Sequence, residues 1–296
     1  MNLTILYKCS IQLFYVNISY NYFVQMLQYM EGLVLIFYFS ATGNSEYVAK
    51  KIAKKEHDRV ISIPKAIANK EYVYQLKEHE KVGFIMPVYF GGLPSIILYF
   101  LENLELLNIR GTYFYHVLTC GENTGEASAQ LNKTIQKKGY TLSARYGIVM
   151  VGNYVPLYRM PNAIDAKKKL DEAEKQIEVV CKAIHNCAYG DQNTVKGLMA
   201  RQFTNFAYPM YAHGRKTKHF KLTEDCSGCG LCERICPCQA IEVQGNRPVW
   251  KQKRCVYCMG CLHQCPKMAI RYKKVTENKG RYYNPHVERK DIINET

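Results

Sequence analysis

Short apolar runs alternate with stretches of helical periodicity through the first two-thirds of the chain. The clearest run is residues 33–39 (LVLIFYF), continuous enough for a strand buried on both faces. Further runs occupy 82–86, 112–119 and 143–151, with a weaker one at 59–63. Helical character fills the gaps at 46–55, 95–107, 126–138 and 164–187. In the last of these, Leu170, Ala173, Ile177, Val180, Cys181 and Ile184 fall on one stripe at three- and four-residue spacing. This alternation predicts an α/β fold with a parallel sheet and helices on both faces. The most economical arrangement is five strands in the order 2-1-3-4-5, which places ligands at the carboxyl ends of the strands.

Three loops then fall at one edge of that sheet. Ser40-Ala41-Thr42-Gly43-Asn44-Ser45 follows the first strand and opens a helix, so hydroxyls and free backbone N–H groups converge where the helix dipole favours an anion. The same turn is also an ordinary helix N-cap. The loop of residues 87–94 (PVYFGGLP) follows the third strand, and that of 119–125 (TCGENTG) follows the fourth.

Composition sharpens the class. The chain has 296 residues, 48% of them hydrophobic, which excludes global disorder, collagen-like repeats and coiled coil. No run of 18 apolar residues suggests a membrane-spanning helix. Thirteen cysteines are an odd number, against a complete disulfide framework. Nine of them lie between Cys226 and Cys265. Positive charge leans the same way: of 40 Lys and Arg and 25 Asp and Glu, 19 and 8 lie from Lys196 onward.

A 29-residue repeat organises those cysteines. Cys226, Cys229, Cys232, Cys236 and Pro237 read C-x2-C-x2-C-x3-C-P, and Cys255, Cys258, Cys261, Cys265 and Pro266 read the same. Three thiolates at this spacing wrap one face of an iron–sulfur cube, and the fourth ligand comes from elsewhere. Structural zinc also uses C-x2-C pairs, although two such triplets leave ligands over. Cys238 lies outside the pattern, either an incidental thiol or one with a redox role.

The segment 221–275 resembles the bacterial ferredoxins that carry two 4Fe–4S clusters. That resemblance implies one cluster on Cys226, Cys229, Cys232 and Cys265, and another on Cys255, Cys258, Cys261 and Cys236. The first part resembles the flavodoxin family, whose phosphate loop reads S/T-x-T-G-N-S/T. It implies that Ser40, Thr42, Gly43, Asn44 and Ser45 bind the phosphate of FMN. It further implies that Tyr89, with Phe90 as rival, stacks on the flavin ring, and that Gly121 and Asn123 contact its polar edge. The third loop lacks the aromatic that many flavodoxins place on the outer face; Tyr154 or Tyr158 substitutes, or that face is open to a partner. The combination resembles the EFR-type ferredoxin family over roughly residues 33–293, including Gly91-Gly92-Leu93-Pro94, Gly152-Asn153-Tyr154-Val155-Pro156 and Arg281-Tyr282-Tyr283-Asn284-Pro285.

The resulting expectation is a flavodoxin-like doubly wound sheet of five parallel strands over 31–190, a basic and aromatic linker over 191–220, a small α+β ferredoxin domain over 221–275 and a tail over 276–296. Residues 1–30 read as an amphipathic anchor or, more simply, as a mis-assigned start before Met30-Glu31-Gly32. The linker interleaves aromatic and basic residues, as in single-strand nucleic-acid binders, but a helix docking two domains is simpler. Lys251, Lys253, Arg254, Lys267, Arg271, Lys273 and Lys274 either steer an acidic redox partner or offset negative cofactors. His185, His213, His263 and His286 are expected at the surface. No G-x-G-x-x-G motif follows a strand, and no hydrolase constellation appears. The expected function is cytoplasmic electron transfer between protein partners, without nucleic acid or a membrane span. Reduction of a small molecule by the flavin, and an FMN-free docking role for the first domain, are the alternatives.

Overall fold

The computed structural model describes residues 33–53 and 58–289; the expected leader, 1–30, lies outside them. Its strands are β1 (Val34–Tyr38), β2 (Arg59–Ser62), β3 (Val73–Gln75), β4 (Lys81–Pro87), β5 (Glu105–Leu107), β6 (Phe114–Cys120), β7 (Leu142–Val149), β8 (Gly190–Asp191), β9 (Phe220–Leu222), β10 (Ile241–Gln244), β11 (Arg247–Trp250) and β12 (Ile270–Tyr272). Its helices are α1 (Asn44–Ile52), α2 (Ile63–Ala68), α3 (Ser95–Asn103), α4 (Ala127–Gln136), α5 (Ala163–His185), α6 (Ala200–Gly214), α7 (Leu231–Arg234) and α8 (Gly260–Gln264).

The main sheet runs β2-β1-β4-β6-β7-β8, with every pair parallel. The expected five strands in order 2-1-3-4-5 are therefore corrected to six. The added strand is two exposed residues paired to Ala144 and Arg145, too short and polar to register as an apolar run. The expected helix over 95–107 is also shortened. It stops at Asn103, Leu104 turns extended, and Glu105–Leu107 pairs with β3 in a separate parallel ribbon. The exposed–buried–exposed pattern of β5 has period two, which a helix cannot satisfy.

Both faces of the sheet are buried. Leu35, Phe37, Phe84 and Leu118 pack with Ile97, Phe100 and Leu131 of α3 and α4 on one side. On the other, Ile36, Ile85 and Val117 meet Val48 of α1 and the α5 stripe Leu170, Ala173, Ile177, Val180 and Ile184. Buried Lys81 donates to the carbonyls of Ile184 and His185 at 2.9 and 2.8 Å. A cation thus meets the negative end of α5.

The cysteine-rich segment folds as two antiparallel ribbons, β10–β11 and β9–β12, with α7 and α8. Its backbone repeats at the interval of the sequence. Left-handed residues recur at Gly228 and Tyr257, at Gly230 and Met259, and at Gln239 and Met268. Each member of a pair lies 29 positions from the other. The Ala240 N–H donates to Cys236 Sγ at 3.2 Å, and the Ala269 N–H donates to Cys265 Sγ at 3.3 Å.

Helix α6, in the expected linker, joins this segment to the sheet. The Tyr211 hydroxyl accepts from the Ser95 N–H and donates to the Val256 carbonyl, both at 3.0 Å. From the other end, Gln264 Nε2 donates to the Ala41 carbonyl at 2.9 Å. Among the described residues, no helix is long and apolar enough to cross a membrane.

One buried group gives a pH signature. His116 in β6 is fully buried and bonds Ser128 Oγ at 2.7 Å. Burial, then repulsion by Arg145, lowers its pKa to about 3. The unfolded imidazole protonates near pH 6.5, so the folded chain binds fewer protons and loses stability as pH falls from about 6.5 towards about 3. Nitrogen NMR of labelled histidine is expected to show His116 neutral at pH 5, and a protonated ring there would contradict the buried placement.

Candidate functional site

A cavity of about 490 Å³ opens at the carboxyl ends of β1, β4, β6 and β7, a volume that suits a cofactor. The loops after these strands form its floor, α6 contributes one wall, and Tyr257, Cys258 and Met259 contribute another. Ser40, Thr42, Asn44, Ser45, Tyr89, Phe90, Gly121 and Asn123 all line it. The topology thus brings together all three loops marked in the sequence.

The turn before α1 gathers backbone N–H donors that could hold an anion. Gly43 has φ 90° and caps the helix, a conformation natural only to glycine. None of the backbone N–H groups of Thr42, Gly43, Asn44 and Ser45 has a hydrogen-bond partner among the described residues. They stand at the positive end of a nine-residue helix, where a phosphate fits by charge and by donor count. The side chains hold the turn in shape. Ser45 Oγ and Thr119 Oγ1 lie 2.8 Å apart, and Asn153 Nδ2 donates to Thr42 Oγ1 at 2.7 Å. Asn44 is spanned on both sides. Its Nδ2 donates to the Val151 carbonyl at 3.0 Å, while its Oδ1 accepts from Tyr282 Oη at 2.7 Å and Asn284 Nδ2 at 3.2 Å. What this side chain leaves for an anion is its backbone N–H.

The C-terminal tail therefore closes the back of the cradle. Asn284 also donates its N–H to the Thr42 carbonyl at 2.8 Å. A Cβ on Gly43 would lie 2.9 Å from that of Asn284, so the tail sets a second requirement for glycine. The sequence marked this tail only as a family-like segment, with no role.

Aromatic residues shape the ring end. Tyr89 packs edge-on against Phe39 and Tyr211, and its buried hydroxyl has no hydrogen-bond partner among the described residues. Burial raises its pKa well above the ordinary tyrosine value. Phe90, in a left-handed conformation, lies between Tyr154 at 5.0 Å and Tyr211 at 5.9 Å. The Tyr154 and Tyr257 hydroxyls lie 3.3 Å apart. Tyr158 is half exposed at the rim. Gly121 stands where the loops after β6 and β7 nearly touch, its absent Cβ 3.0 Å from Gly152 Cα.

Two smaller cavities lie in the cysteine-rich segment. One is lined by Cys226, Cys229, Cys232 and Cys265. The other is lined by Cys236, Cys255, Cys258 and Cys261, with Cys238 beside them; Cys236 Sγ and Cys238 Sγ are 4.0 Å apart. Among the described residues, no three His, Cys, Asp or Glu converge on a single metal ion; the thiols instead surround spaces. Burial pushes the Cys255 thiol up to about 11 and the Cys232 thiol up to about 12, so metal must displace protons that these groups otherwise keep.

His185, His213 and His286 are exposed as expected, but His263 is a correction. It is 3% exposed, accepts at Nδ1 from the Tyr282 N–H at 3.1 Å and donates from Nε2 to the Asn153 carbonyl at 2.7 Å. Burial lowers its pKa to about 4. It is a neutral strut joining α8, the loop after β7 and the tail. Nothing in the spacing of an isolated histidine signals such a role.

Comparison with known proteins gives two domain matches. A flavodoxin domain model matches residues 35–160, and a 4Fe–4S binding domain model matches 220–242. A ferredoxin of Methanothermococcus thermolithotrophicus is 37% identical over 54 residues, 17% of this chain and 90% of its own length. Through this segment the chain belongs to the ferredoxin family. NADH-quinone oxidoreductase subunit I of Pelobacter propionicus is 27% identical over 101 residues, 28% of this chain; the chain spans about half of that subunit's length, 54%. Among solved structures, the Trp repressor binding protein of Bacillus subtilis aligns at 13% identity and a TM-score of 0.35, over 50% of this chain and 96% of its own. The chain thus joins a flavodoxin-like domain to a 4Fe–4S ferredoxin segment.

The tail contact is testable apart from any cofactor. Tyr282→Phe with Asn284→Ala leaves Asn44 Oδ1 buried without its two donors, a cost of about 1–3 kcal/mol. Amide hydrogen exchange over residues 280–287 is expected to accelerate while iron content holds. Unchanged protection would show that these bonds do not hold the tail.

Proposed function

We propose that this chain passes electrons between protein partners through two 4Fe–4S clusters and one FMN, as a member of the EFR-type ferredoxin family. The observation that carries the reading is the sorting of eight cysteines: each quartet implied by the resemblance to two-cluster ferredoxins lines a cavity of its own. Cys226, Cys229, Cys232 and Cys265 would hold one cluster, and Cys255, Cys258, Cys261 and Cys236 the other, with the last cysteine of each run crossing over. The unpartnered N–H groups of Thr42, Gly43, Asn44 and Ser45 would bind the FMN phosphate. Gly121 and Asn123 would meet the polar edge of the ring, and Tyr89, Phe90 and Tyr154 would bound its faces. Bound FMN exchanges one or two electrons, whereas each cluster exchanges one at a time. The chain's own contribution is electrostatic: N–H donors to Cys236 and Cys265 favour a more negative sulfur.

The domain limits 31–190, 191–220 and 221–275 go with this reading, as does a reducing cytoplasmic setting that keeps the thiols free. Lys251, Lys253 and Arg254 are exposed beside the second quartet, which favours an acidic protein partner. One observation supports a small-molecule acceptor as a second reading. Phe206 and Met210 are 76% and 56% exposed yet also line the large cavity, an apolar threshold for a ligand approaching the ring.

Anaerobic purification with iron, sulfide and flavin assays tests the proposal. About eight iron atoms per chain with one FMN is the expected result. Zinc in place of iron sinks it, and iron without flavin reduces the first domain to a docking module. Cys236→Ala is expected to disturb the Cys255 quartet; loss confined to the Cys226 quartet would contradict ligand crossover.

A further inference from the structure

The two cysteine quartets do not share the large cavity equally. Cys258 lines both the large cavity and the cavity of Cys236, Cys255 and Cys261. No cysteine of the Cys226 quartet lines the large cavity. Resting on the proposed function, we infer that the Cys255 quartet holds the inner cluster, that Cys258 is the sulfur presented to the flavin, and that the Cys226 quartet is the outer station.

The backbone supports this asymmetry. The two repeats share left-handed positions on either side of the middle cysteine, and the first repeat fills them with Gly228 and Gly230. The second fills them with Tyr257 and Met259, at φ 61° and 59°. L-residues adopt that conformation only at a steric cost that glycine escapes. Both side chains are buried and both line the large cavity on either side of Cys258. The strain is spent where the second repeat faces the sheet, so the wall between the centres is built of side chains rather than solvent. Gly228 has a different neighbour: its absent Cβ would lie 2.6 Å from the Asn246 carbonyl oxygen, so the first repeat excludes a side chain.

Exposure points the same way. Cys229 is exposed, whereas Tyr257, Met259, Leu262, His263 and Gln264 around the second triplet are buried against the loops of the sheet. An electron entering from an external reductant would reach the Cys226 quartet, move to the Cys255 quartet and leave it for the flavin. Each step oxidises one centre by one electron and reduces the next by one.

Serine substitution tags each cluster without emptying its cavity, because an alkoxide ligand keeps iron and changes the cluster's EPR line. Cys229→Ser and Cys258→Ser are prepared with iron and FMN contents verified, then poised with dithionite at a level where the one-electron-reduced flavin and the reduced, paramagnetic clusters coexist, and frozen. Pulsed EPR then reads which cluster accelerates relaxation of the flavin signal. The expected result is that the line shifted in Cys258→Ser belongs to the accelerating cluster, while the line shifted in Cys229→Ser does not. If a variant loses its cluster, iron content falls by about half and the surviving cluster is assigned by elimination. Strong flavin relaxation persisting after loss of the Cys258 cluster, or a Cys229-tagged cluster as the accelerating one, overturns the order. Missing FMN would instead refute the proposed function.

Discussion

A single buried amide fixes how the two halves of the molecule meet. Gln264, wholly inaccessible, donates to the carbonyl of Ala41 in the turn that leaves β1. An unpaired carbonyl at that depth would cost about 1–3 kcal/mol, so α8 has one position against the sheet edge. That seating brings Tyr257 and Met259 to the wall of the large cavity and lets His263 bond the loop after β7. Tyr211 locks the opposite side by serving as acceptor to α3 and donor to the chain at Val256. Neither half encloses the cavity alone.

The sequence was most legible where one physical rule governs a whole segment. Buried parallel strands must be continuously apolar, and residues 33–39 and 82–86 show it. Cluster chemistry demands thiols at fixed intervals, and the 29-residue repeat announces two cysteine runs, which the ferredoxin resemblance pairs into quartets. Legibility fails where contacts depend on tertiary placement. The edge strand Gly190–Asp191 is defined by pairing alone, and β5 hides inside an apparently helical run. The struts His263, Asn153 and Asn284 carry no local signal, because their partners lie 19 to 240 residues away. Tyr257 and Met259 were readable in principle as departures from glycine within the repeat.

Charge also takes a different meaning once placed. Aromatic and basic residues interleave through α6, which alone could suggest nucleic-acid binding. In the fold, Tyr208 and Tyr211 are occupied with the backbone of Leu93, Ser95 and Val256, and Arg215 donates to the Cys255 carbonyl. These groups form a joint and are not free to stack bases. The remaining cations near the cysteines stand where anionic centres would otherwise repel one another.

The strap of Tyr282 and Asn284 across the turn at Gly43 has a temporal consequence. During synthesis the sheet strands emerge first and can pair as a unit, yet the rear wall of the turn is encoded 240 residues after Asn44. The turn is therefore finished only after the cysteine-rich segment, which lies between it and the tail in sequence, has emerged. A ribosome-bound chain truncated before Asn284 owns every residue of the loop motif and still lacks the finished cradle. Emergence of Tyr282 and Asn284 is in this sense the step that finishes the turn's rear wall.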